Sequence, residues 1–435
     1  MTLVSTLECG INEVYIKFIK KTFEKANEES FKLFSGSQVV FTSPSLSDNY
    51  ERSIEICIPK SVNNQYTLEM YDTSSFWSDG AWLMAESGNG KCIWKGMMTT
   101  RHTQTQPLSL YSPINRNSLW KYTSSASGNW KMFDFIDTDW IHVVLGSTTE
   151  EVTGTQYFRN VYLGISGMAA IDIQLYYRFG IVAYINGVEV YRDNMPDGEP
   201  TSNTLGTGNY TSYDYHGIIR PAYVGENSSS VLAVEVHFSQ LDYKEIIQFN
   251  SFLAFYAGVD ESNPCYIVPG FTGSSSDFTN AEDVFSWTYA SSAQFHEVMG
   301  YINIELFNNS VPVVNSLRIW PYTNEATQVM VFTISALSPR SGEEELLVVN
   351  GVTYKPNEWK QWDLVSTAIP TTKFSFFAIN SGRILMDIIE FQLLVCNRQY
   401  PSSIEYPSSY YEFYTHYQQV EISPVMYGFT SCEIK

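Results

Sequence analysis

The stretch that most constrains the fold is Ile171–Arg192, which reads IDIQLYYRFGIVAYINGVEVYR. Apolar and aromatic residues alternate on both sides of Gly180, which is typical of a strand with one face toward a core. Asn186-Gly187 then separates two β-rich runs and is the strongest short-range hairpin signal in the chain. Gly187 suits the second position of a type I′ turn, which takes a positive φ. The stretch therefore predicts an antiparallel sheet with one buried face.

Short β-rich runs recur along all 435 residues, and Gly, Ser, Thr and Asn separate them at regular intervals. This spacing predicts an all-β chain of tandem antiparallel β-sandwich domains, because the chain is too long for one hydrophobic core. Only Glu13–Glu29 has helical character, and its VYIKFIK core alternates well enough to form a strand instead. The predicted domains are 1–122, 123–262 and 263–397, followed by a Tyr-rich extended tail at 398–435.

The formal net charge of −20 and the pI near 4.7 argue against nucleic acid and anionic membranes as partners. No run reaches the ~20 apolar residues that span a bilayer, and Met1–Gly10 lacks the basic start of a signal peptide. Three Asn-X-Ser/Thr glycosylation sites in predicted loops permit secretion: Asn209, Asn227 and Asn308. We expect an extracellular or cell-surface protein, with a cytoplasmic or ciliary location as the alternative.

The six cysteines are scattered, without the CxxC or CxxH spacing of a zinc site. Cys265 and Cys396 bracket the third predicted domain, where the first and last strands of a sandwich would place them. Cys57 and Cys92 can do similar work in the first domain. We predict these two disulfides, and buried free thiols in a reducing compartment are the alternative.

Three tryptophans of the first domain occupy short predicted strands around turn-forming glycines: Trp77, Trp82 and Trp94. Aromatic rings stack on the apolar faces of pyranose rings, so these side chains are a candidate sugar-binding face. Tryptophans at strand spacing also form hydrophobic cores, and this second interpretation stays open.

The second domain resembles a known family in the order of its segments: SGNWKMFD, DTDW, QYFRNVYL, GIVAYINGVEVYRDNMPDG and SVLAVEVH. Together they resemble a galactose-binding-like jelly-roll module, a kind of domain appended to many large extracellular proteins and hydrolases of bacteria and protists. Members usually carry an acidic turn where this chain has Arg178-Phe179-Gly180, so a calcium or ligand role does not carry over there. The remaining alternating polar residues predict a buried Arg–Glu pair rather than a catalytic dyad: Glu189, Arg192, Glu235 and His237.

The third domain resembles a discoidin-type sandwich of the same class, chiefly in its layout. Cys265 and Cys396 join its ends, and the closing strand is rich in Ile and Phe. In that family, spikes at the open end bind glycans, lipid head groups or proteins. The resemblance implies such a spike at Trp320, Tyr322 and Asn324, although a core tryptophan before a turn explains the segment equally well.

A dense group of oxygen donors follows the start of the third domain: Asp277, Asn280, Glu282 and Asp283. Several oxygens within seven residues suit calcium, the one cofactor that the sequence suggests. We take Asp277, Asn280 and Asp283 as candidate ligands, and a solvated loop without an ion is the alternative.

The tail segment QQVEISPVMYGFTSCEI resembles the first strands of an immunoglobulin-like repeat, and a strand that packs on the third domain is the alternative.

Enzyme motifs are missing from the sequence: it has no GxSxG elbow, P-loop, HExxH or dinucleotide fingerprint, and its histidines are dispersed. The leading hypothesis is a non-catalytic carbohydrate-binding or adhesion protein whose partners are glycans or surface proteins. One alternative is a structural or assembly module of a surface or cilium-associated complex that binds protein only. Another is an accessory region of a larger extracellular hydrolase.

Overall fold

The computed structural model describes the following residues: 13–59, 65–74, 77, 81–85, 92–96, 98, 101–109, 112–114, 118–144, 148, 150–164, 168–222, 229–240, 242–258, 265–285, 293–295, 299–306, 310–322, 328–338, 342–354, 359–364, 370–380, 387–397, 403–405 and 425–427. Met1–Asn397 forms one unit and Arg398–Lys435 a second. Antiparallel sheets dominate, which confirms the prediction of tandem β-sandwiches. Within these ranges no helix is long and apolar enough to cross a membrane.

The first sandwich has two four-stranded sheets, ordered β4-β1-β6-β7 and β3-β2-β5-β8. Its strands are β1 Glu13–Thr22, β2 Glu29–Ser35, β3 Gln38–Thr42, β4 Tyr50–Pro59, β5 Gln65–Asp72, β6 Ala81–Ala85, β7 Cys92–Gly96 and β8 Thr103–Ser109, with a 3-10 helix at Ala26–Glu28.

The segment with helical character forms a strand, β1. Ile16 and Phe18 point into the core, whereas the alternate residues Lys17 and Ile19 are half-buried. This two-residue period of burial is that of a strand, whereas a helix would repeat about every 3.6 residues. Lys20 continues the inward row, and its ammonium lies 2.7 Å from the buried Glu29 carboxylate.

The second sandwich has a six-stranded sheet, ordered β10-β9-β11-β16-β13-β14, and a facing sheet, ordered β17-β12-β15-β23, in which β23 is Ser310–Pro312. Its own strands are β9 Leu119–Thr123, β10 Ile141–Val144, β11 Gln156–Leu163, β12 Ala170–Tyr177, β13 Gly180–Ile185, β14 Val188–Asp193, β15 Asp214–Pro221, β16 Ser229–His237 and β17 Asn250–Tyr256. Because β9 pairs with β10 and β11, the second sandwich begins no later than Leu119. The predicted boundary after residue 122 therefore cuts through a strand.

The predicted hairpin is present as β13 and β14. Asn186 and Gly187 have φ values of 49° and 85°, the two positive angles of a type I′ turn. The expectation of one buried face was wrong, because all six residues of β13 are buried. The inner face of β13 packs in the sandwich core, and Val182 and Tyr184 on its outer face pack against Trp130 and Trp140.

The segment 128–140 covers that outer face and is held by one arginine of β11. Arg159 is 1% exposed, and its Nε donates to Asp137 at 2.9 Å. Its Nη1 donates to the carbonyl oxygens of Trp130 and Met132. Lys121 donates to the other Asp137 oxygen at 2.6 Å. Two cations and one carboxylate thus attach the segment to the sheet.

This attachment should depend on pH. Burial raises the pKa of the Asp137 carboxyl, but hydrogen bonds and positive charge from Lys121 and Arg159 outweigh burial and hold it below its ordinary value. A lowered folded pKa gives stability that is present above the unfolded value of about 3.9 and lost as pH falls through the folded pKa. We expect urea denaturation to show stability decreasing below about pH 4, and decreasing less in Asp137→Asn. Equal slopes in the two proteins would contradict this expectation.

The third sandwich has sheets ordered β20-β21-β29-β24-β27, with β18 also paired to β29, and β19-β22-β28-β25-β26. Its strands are β18 Cys265–Ile267, β19 Phe271–Ser274, β20 Phe278–Thr279, β21 Ala293–Phe295, β22 Met299–Leu306, β23 Ser310–Pro312, β24 Ser316–Tyr322, β25 Gln328–Ser338, β26 Gly342–Tyr354, β27 Lys360–Asp363, β28 Lys373–Asn380 and β29 Asp387–Cys396, with a 3-10 helix at Ala281–Phe285.

Strand β23 leaves its own sandwich and pairs in parallel with β15 of the second. Ser310 at its start donates a hydrogen bond to the buried Asp172, at 3.0 Å. Tyr256 donates to the other oxygen of the same carboxylate, also at 3.0 Å. The two sandwiches therefore share one sheet edge.

In the separate unit, 398–435, the described strands are β30 Ser403–Glu405 and β31 Val425–Tyr427, which pair antiparallel.

Candidate functional site

The predicted tryptophan face of the first sandwich does not form as a unit. Trp77 is 2% exposed and belongs to the core, where its indole donates to the Tyr71 carbonyl oxygen and its ring lies beneath the Lys20 ammonium. Its assignment as a ligand-binding residue was wrong, because the core interpretation applies. Trp82 and Trp94 lie in β6 and β7, and their side chains fall outside the described residues. Their role stays a prediction.

The predicted spike at residues 320–324 begins inside a strand. Trp320 lies in β24, which pairs with β29, and its half-buried ring packs edge-on against Trp359 at 5.2 Å. It is therefore a packing residue of the sheet rather than a loop tip. Tyr322 ends the same strand, and its side chain and the whole of Asn324 lie outside the described residues.

The candidate calcium ligands make protein contacts of their own. Asp277 accepts hydrogen bonds from the Tyr301 backbone amide at 2.9 Å and from the Ser276 hydroxyl at 3.0 Å. Asn280 has a positive φ of 55°, and its carbonyl oxygen accepts from the Asp283 amide at the following 3-10 helix. Within the described ranges no three His, Cys, Asp or Glu side chains are grouped to hold a metal. A calcium ion at this loop stays a prediction.

The disulfide between Cys265 and Cys396 is present and joins paired residues of β18 and β29. Cys57 is also disulfide-bonded. The side chain of Cys92 lies outside the described residues, so the Cys57–Cys92 pairing stays a prediction. Of the glycosylation sites, Asn209 is exposed beside Tyr210, and Asn227 and Asn308 lie outside the described ranges.

The alternating polar residues of the second sandwich form two separate pairs. Glu189 and Arg192 pair at the sheet edge, where Glu189 is exposed. Glu235 and His237 are buried and lie 3.2 Å apart, and Glu235 also accepts a 2.6 Å hydrogen bond from Tyr184. The predicted buried Arg–Glu pair was therefore wrong, because the buried partner of a glutamate here is a histidine.

A pocket of about 430 Å³ lies between β14, the edge strand of one sheet, and β15 of the facing sheet. Ligand pockets typically fall between about 300 and 1,000 Å³. Val311, Val313 and Pro370 of the third sandwich also line it. The pocket therefore combines two sandwiches along the edge that they share.

Strand β15 places three pocket residues in one row: His216, Ile218 and Arg220. They pair across the sheet with Leu175, Ile173 and Ile171, which are core residues. Alternate residues of a strand share a face, so this row points inward. A histidine and an arginine thus occupy inward positions that the surrounding core would fill with apolar side chains.

The aromatic part of the pocket is a stacked pair, Tyr210 and His216. Their ring centroids are 4.2 Å apart and their planes differ by 11°. The Tyr210 backbone is held on both sides by Arg178, since its amide donates to the Arg178 carbonyl and its carbonyl accepts from the Arg178 guanidinium. Neither ring nitrogen of His216 has a hydrogen-bond partner among the described residues. The pair is a fixed aromatic surface with a free polar edge.

Asp193 organises the tyrosines at this end of the pocket. It accepts hydrogen bonds from the hydroxyls of Tyr177 and Tyr210, and Tyr191 contacts the Tyr177 hydroxyl at 2.9 Å. Burial, followed by hydrogen bonding to Asp193 and its negative charge, raises the pKa of Tyr210 to about 12. Burial likewise raises the pKa values of Tyr177 and Tyr191. All three hydroxyls therefore stay protonated at neutral pH and can act as donors.

The two arginines of the pocket differ in their partners. Arg192 makes two hydrogen bonds to Glu189, at 2.8 and 2.6 Å, and one to the Pro196 carbonyl oxygen. Arg220 donates from Nη1 to the Val190 carbonyl oxygen at 3.0 Å, and its Nε is buried without a partner among the described residues. A buried donor left unpaired costs about 1–3 kcal/mol, and the Arg220 Nε is such a donor among the described residues of this pocket.

Sequence reasoning missed this pocket, although two signals for it are visible. The run NYTSYDYHGIIR concentrates tyrosines just before β15, and His216 and Arg220 interrupt an otherwise apolar alternation. The closing of the pocket by residues around 311 and 370 has no local sequence signal, because those residues are distant along the chain.

No protein-family model matches the chain, and no curated protein matches it. Solved structures that resemble it include a family 32 carbohydrate-binding module from C. perfringens NanJ in complex with galactose. That likeness has 16% identity and a TM-score of 0.25, and it covers 30% of this chain and 98% of the module. A Bacteroides uniformis β-glucuronidase matches with 14% identity and a TM-score of 0.28, over 63% of this chain and 31% of the enzyme.

An allantoicase also resembles the chain, with 9% identity and a TM-score of 0.23, over 57% of this chain and 79% of that one. The chain spans less than a third of the length of the glucuronidase. The TM-scores are all below 0.5, so we draw no functional conclusion from these likenesses. The jelly-roll and discoidin assignments stay predictions.

Proposed function

We propose that this protein is a non-catalytic carbohydrate-binding protein and that the pocket between β14 and β15 is its glycan site. The observation that carries the proposal is the stacked Tyr210–His216 pair, fixed in a pocket that also offers a carboxylate and a partly unsatisfied arginine. Sugar rings present apolar faces and a rim of hydroxyls. Such a ring can cover the aromatic pair while its hydroxyls reach the polar groups around it.

The carboxylates of the pocket support a binding role rather than catalysis. Glu189 is held by Arg192 through two hydrogen bonds, and Asp193 accepts from two tyrosine hydroxyls and the Asn194 amide. Glycoside hydrolysis generally needs one carboxyl that donates a proton and another that acts as base or nucleophile. Here both carboxylates serve as fixed acceptors that shape the site.

The Cys265–Cys396 disulfide supports an extracellular or cell-surface location, since such bonds persist mainly in oxidising compartments. Asn209 is exposed and precedes the pocket residue Tyr210 in the sequence, so a glycan attached there would lie beside Tyr210. This location and the adhesion role that follows from it are parts of the proposal.

Removing the aromatic surface tests the function. We expect Tyr210→Ala to weaken the binding of a glycan identified on an array by about tenfold or more, because it removes the stacking ring and one donor to Asp193. Tyr210→Phe keeps the ring and should lose less. Isothermal titration calorimetry with the full chain measures both.

Tyr50 offers a matched control, because it is exposed on β4 of the first sandwich. Tyr50→Ala should leave the affinity unchanged. A blank array across neutral and acidic glycans, or a Tyr210→Ala protein that binds as tightly as the unmodified chain, would refute the proposed site.

A further inference from the structure

We infer that the ligand of this pocket is an acidic oligosaccharide whose anionic group binds at Arg220. The inference rests on the proposed function and specifies its substrate class. It starts from the hydrogen bonds of Arg220, because a guanidinium carries five donors and a permanent positive charge.

Arg220 uses few of these donors within the described part of the chain. Nη1 binds the Val190 carbonyl oxygen, Nε has no partner there, and no described Asp or Glu lies within salt-bridge distance. The chain has 46 acidic and 26 basic residues, yet no described carboxylate neutralises this arginine of the pocket. Planar guanidinium groups bind carboxylates and sulfated groups through paired, charge-assisted hydrogen bonds.

The other charges of the pocket leave this end positive. Glu189 is near Val190, but Arg192 neutralises it through a bidentate pair. Asp193 lies at the opposite end, three residues from Val190, which is about 10 Å along β14. There it is surrounded by tyrosine hydroxyls rather than by arginine. The pocket is therefore polar and aromatic at one end and cationic at the other.

The separation of the two ends indicates the size of ligand that can use both. His216 and Arg220 are four residues apart on β15, or about 13 Å between their Cα atoms. That backbone distance exceeds one pyranose ring. An oligosaccharide of two or more residues can therefore span the pocket, with one ring on Tyr210 and an anionic group at Arg220.

Two kinds of acidic saccharide share the required chemistry. Uronic acids carry a carboxylate, and sulfated sugars carry a sulfate ester. Arg220 can bind either through paired donors, so the inference concerns an anionic group on a saccharide, and the test distinguishes its source.

The test compares acidic oligosaccharides with their neutralised counterparts on the full chain. Oligogalacturonate is titrated beside its carboxyl-reduced form, and carrageenan oligosaccharides beside their desulfated form. We expect at least one acidic form to bind about tenfold more tightly than its neutral counterpart. Arg220→Gln should abolish this preference, so that the acidic form binds no more tightly than its neutral counterpart.

Arg52→Gln is the matched control, because Arg52 lies in the first sandwich and, among the described residues, donates only to the Ser45 carbonyl oxygen. It should keep the acidic preference, and circular dichroism should show that Arg220→Gln is folded. Equal affinity for acidic and neutral forms, or a preference that survives Arg220→Gln, would overturn the inference while leaving glycan binding intact. Binding of neither form would instead defeat the proposed function. A preference for oligogalacturonate over its carboxyl-reduced form identifies the anion as a carboxylate. A preference for carrageenan oligosaccharides over their desulfated form identifies it as a sulfate.

Discussion

Replacing Arg159 with alanine should lower the free energy of unfolding by about 3–5 kcal/mol, the range found when one partner of a buried ion pair is removed. Arg159 is 1% exposed and bonds Asp137 together with carbonyl oxygens of the covering segment 128–140. Its loss removes one of the two cations that pair with the Asp137 carboxylate and takes away the donor to the carbonyl oxygens of Trp130 and Met132. Urea denaturation followed by tryptophan fluorescence measures the effect, since Trp130 and Trp140 lie in that segment.

A surface ion pair of the third sandwich provides the control. Lys373 and Glu305 lie 3.0 Å apart with side chains 57% and 45% exposed. Such pairs contribute at most about 1 kcal/mol, so Lys373→Ala should change stability little. Hydrogen exchange should also show residues 128–140 opening in Arg159→Ala and not in the control. If the two variants unfold alike, Arg159 does not hold the segment.

Removing the Cys265–Cys396 disulfide should have the second large effect. The bond closes a loop with a sequence separation of 131 residues. Loss of such a cross-link increases the entropy of the unfolded chain and typically costs about 2–5 kcal/mol. We expect the double variant with both cysteines changed to serine to unfold at lower urea concentration. Hydrogen exchange in β18 and β29 should locate the change in the third sandwich.

The single variant Cys265→Ser serves as an internal comparison, because it removes the same bond and should be destabilised by a similar amount. Alkylation of the unreduced protein, followed by mass spectrometry, reports whether both thiols are protected. Free thiols at these two positions, or a double variant as stable as the unmodified chain, would contradict the prediction.

Features encoded by neighbouring residues were the predictable part of this structure. The hairpin at Asn186-Gly187 forms as expected, because asparagine tolerates a positive φ and glycine, without a Cβ atom, adopts it readily. The alternation of VYIKFIK left a strand and a helix as two options. The burial of Ile16 and Phe18, two residues apart, shows that the segment is a strand. The position of Cys265 and Cys396 at the ends of a predicted sandwich also led to the right pairing.

Burial on the outer sides of sheets was not predictable from local pattern. Trp77 and Trp320 have the same spacing whether they are exposed or packed, and only the neighbouring elements determine that Trp77 is in the core and Trp320 packs on Trp359. The same reason explains β13, whose outer face a distant loop covers. A period of two identifies two faces of a strand, but not what lies against each.

The sequence by itself determined the strands, their turns and the sandwich class, because backbone preferences and two-residue alternation act between close neighbours. Tertiary structure alone decided the site. It brings Tyr210, His216 and Arg220 against β14 and adds Val311 and Pro370 from a third sandwich that shares an edge with the second. Pairing between β15 and β23 joins residues about a hundred positions apart, and such contacts depend on the packing of whole sheets rather than on local sequence.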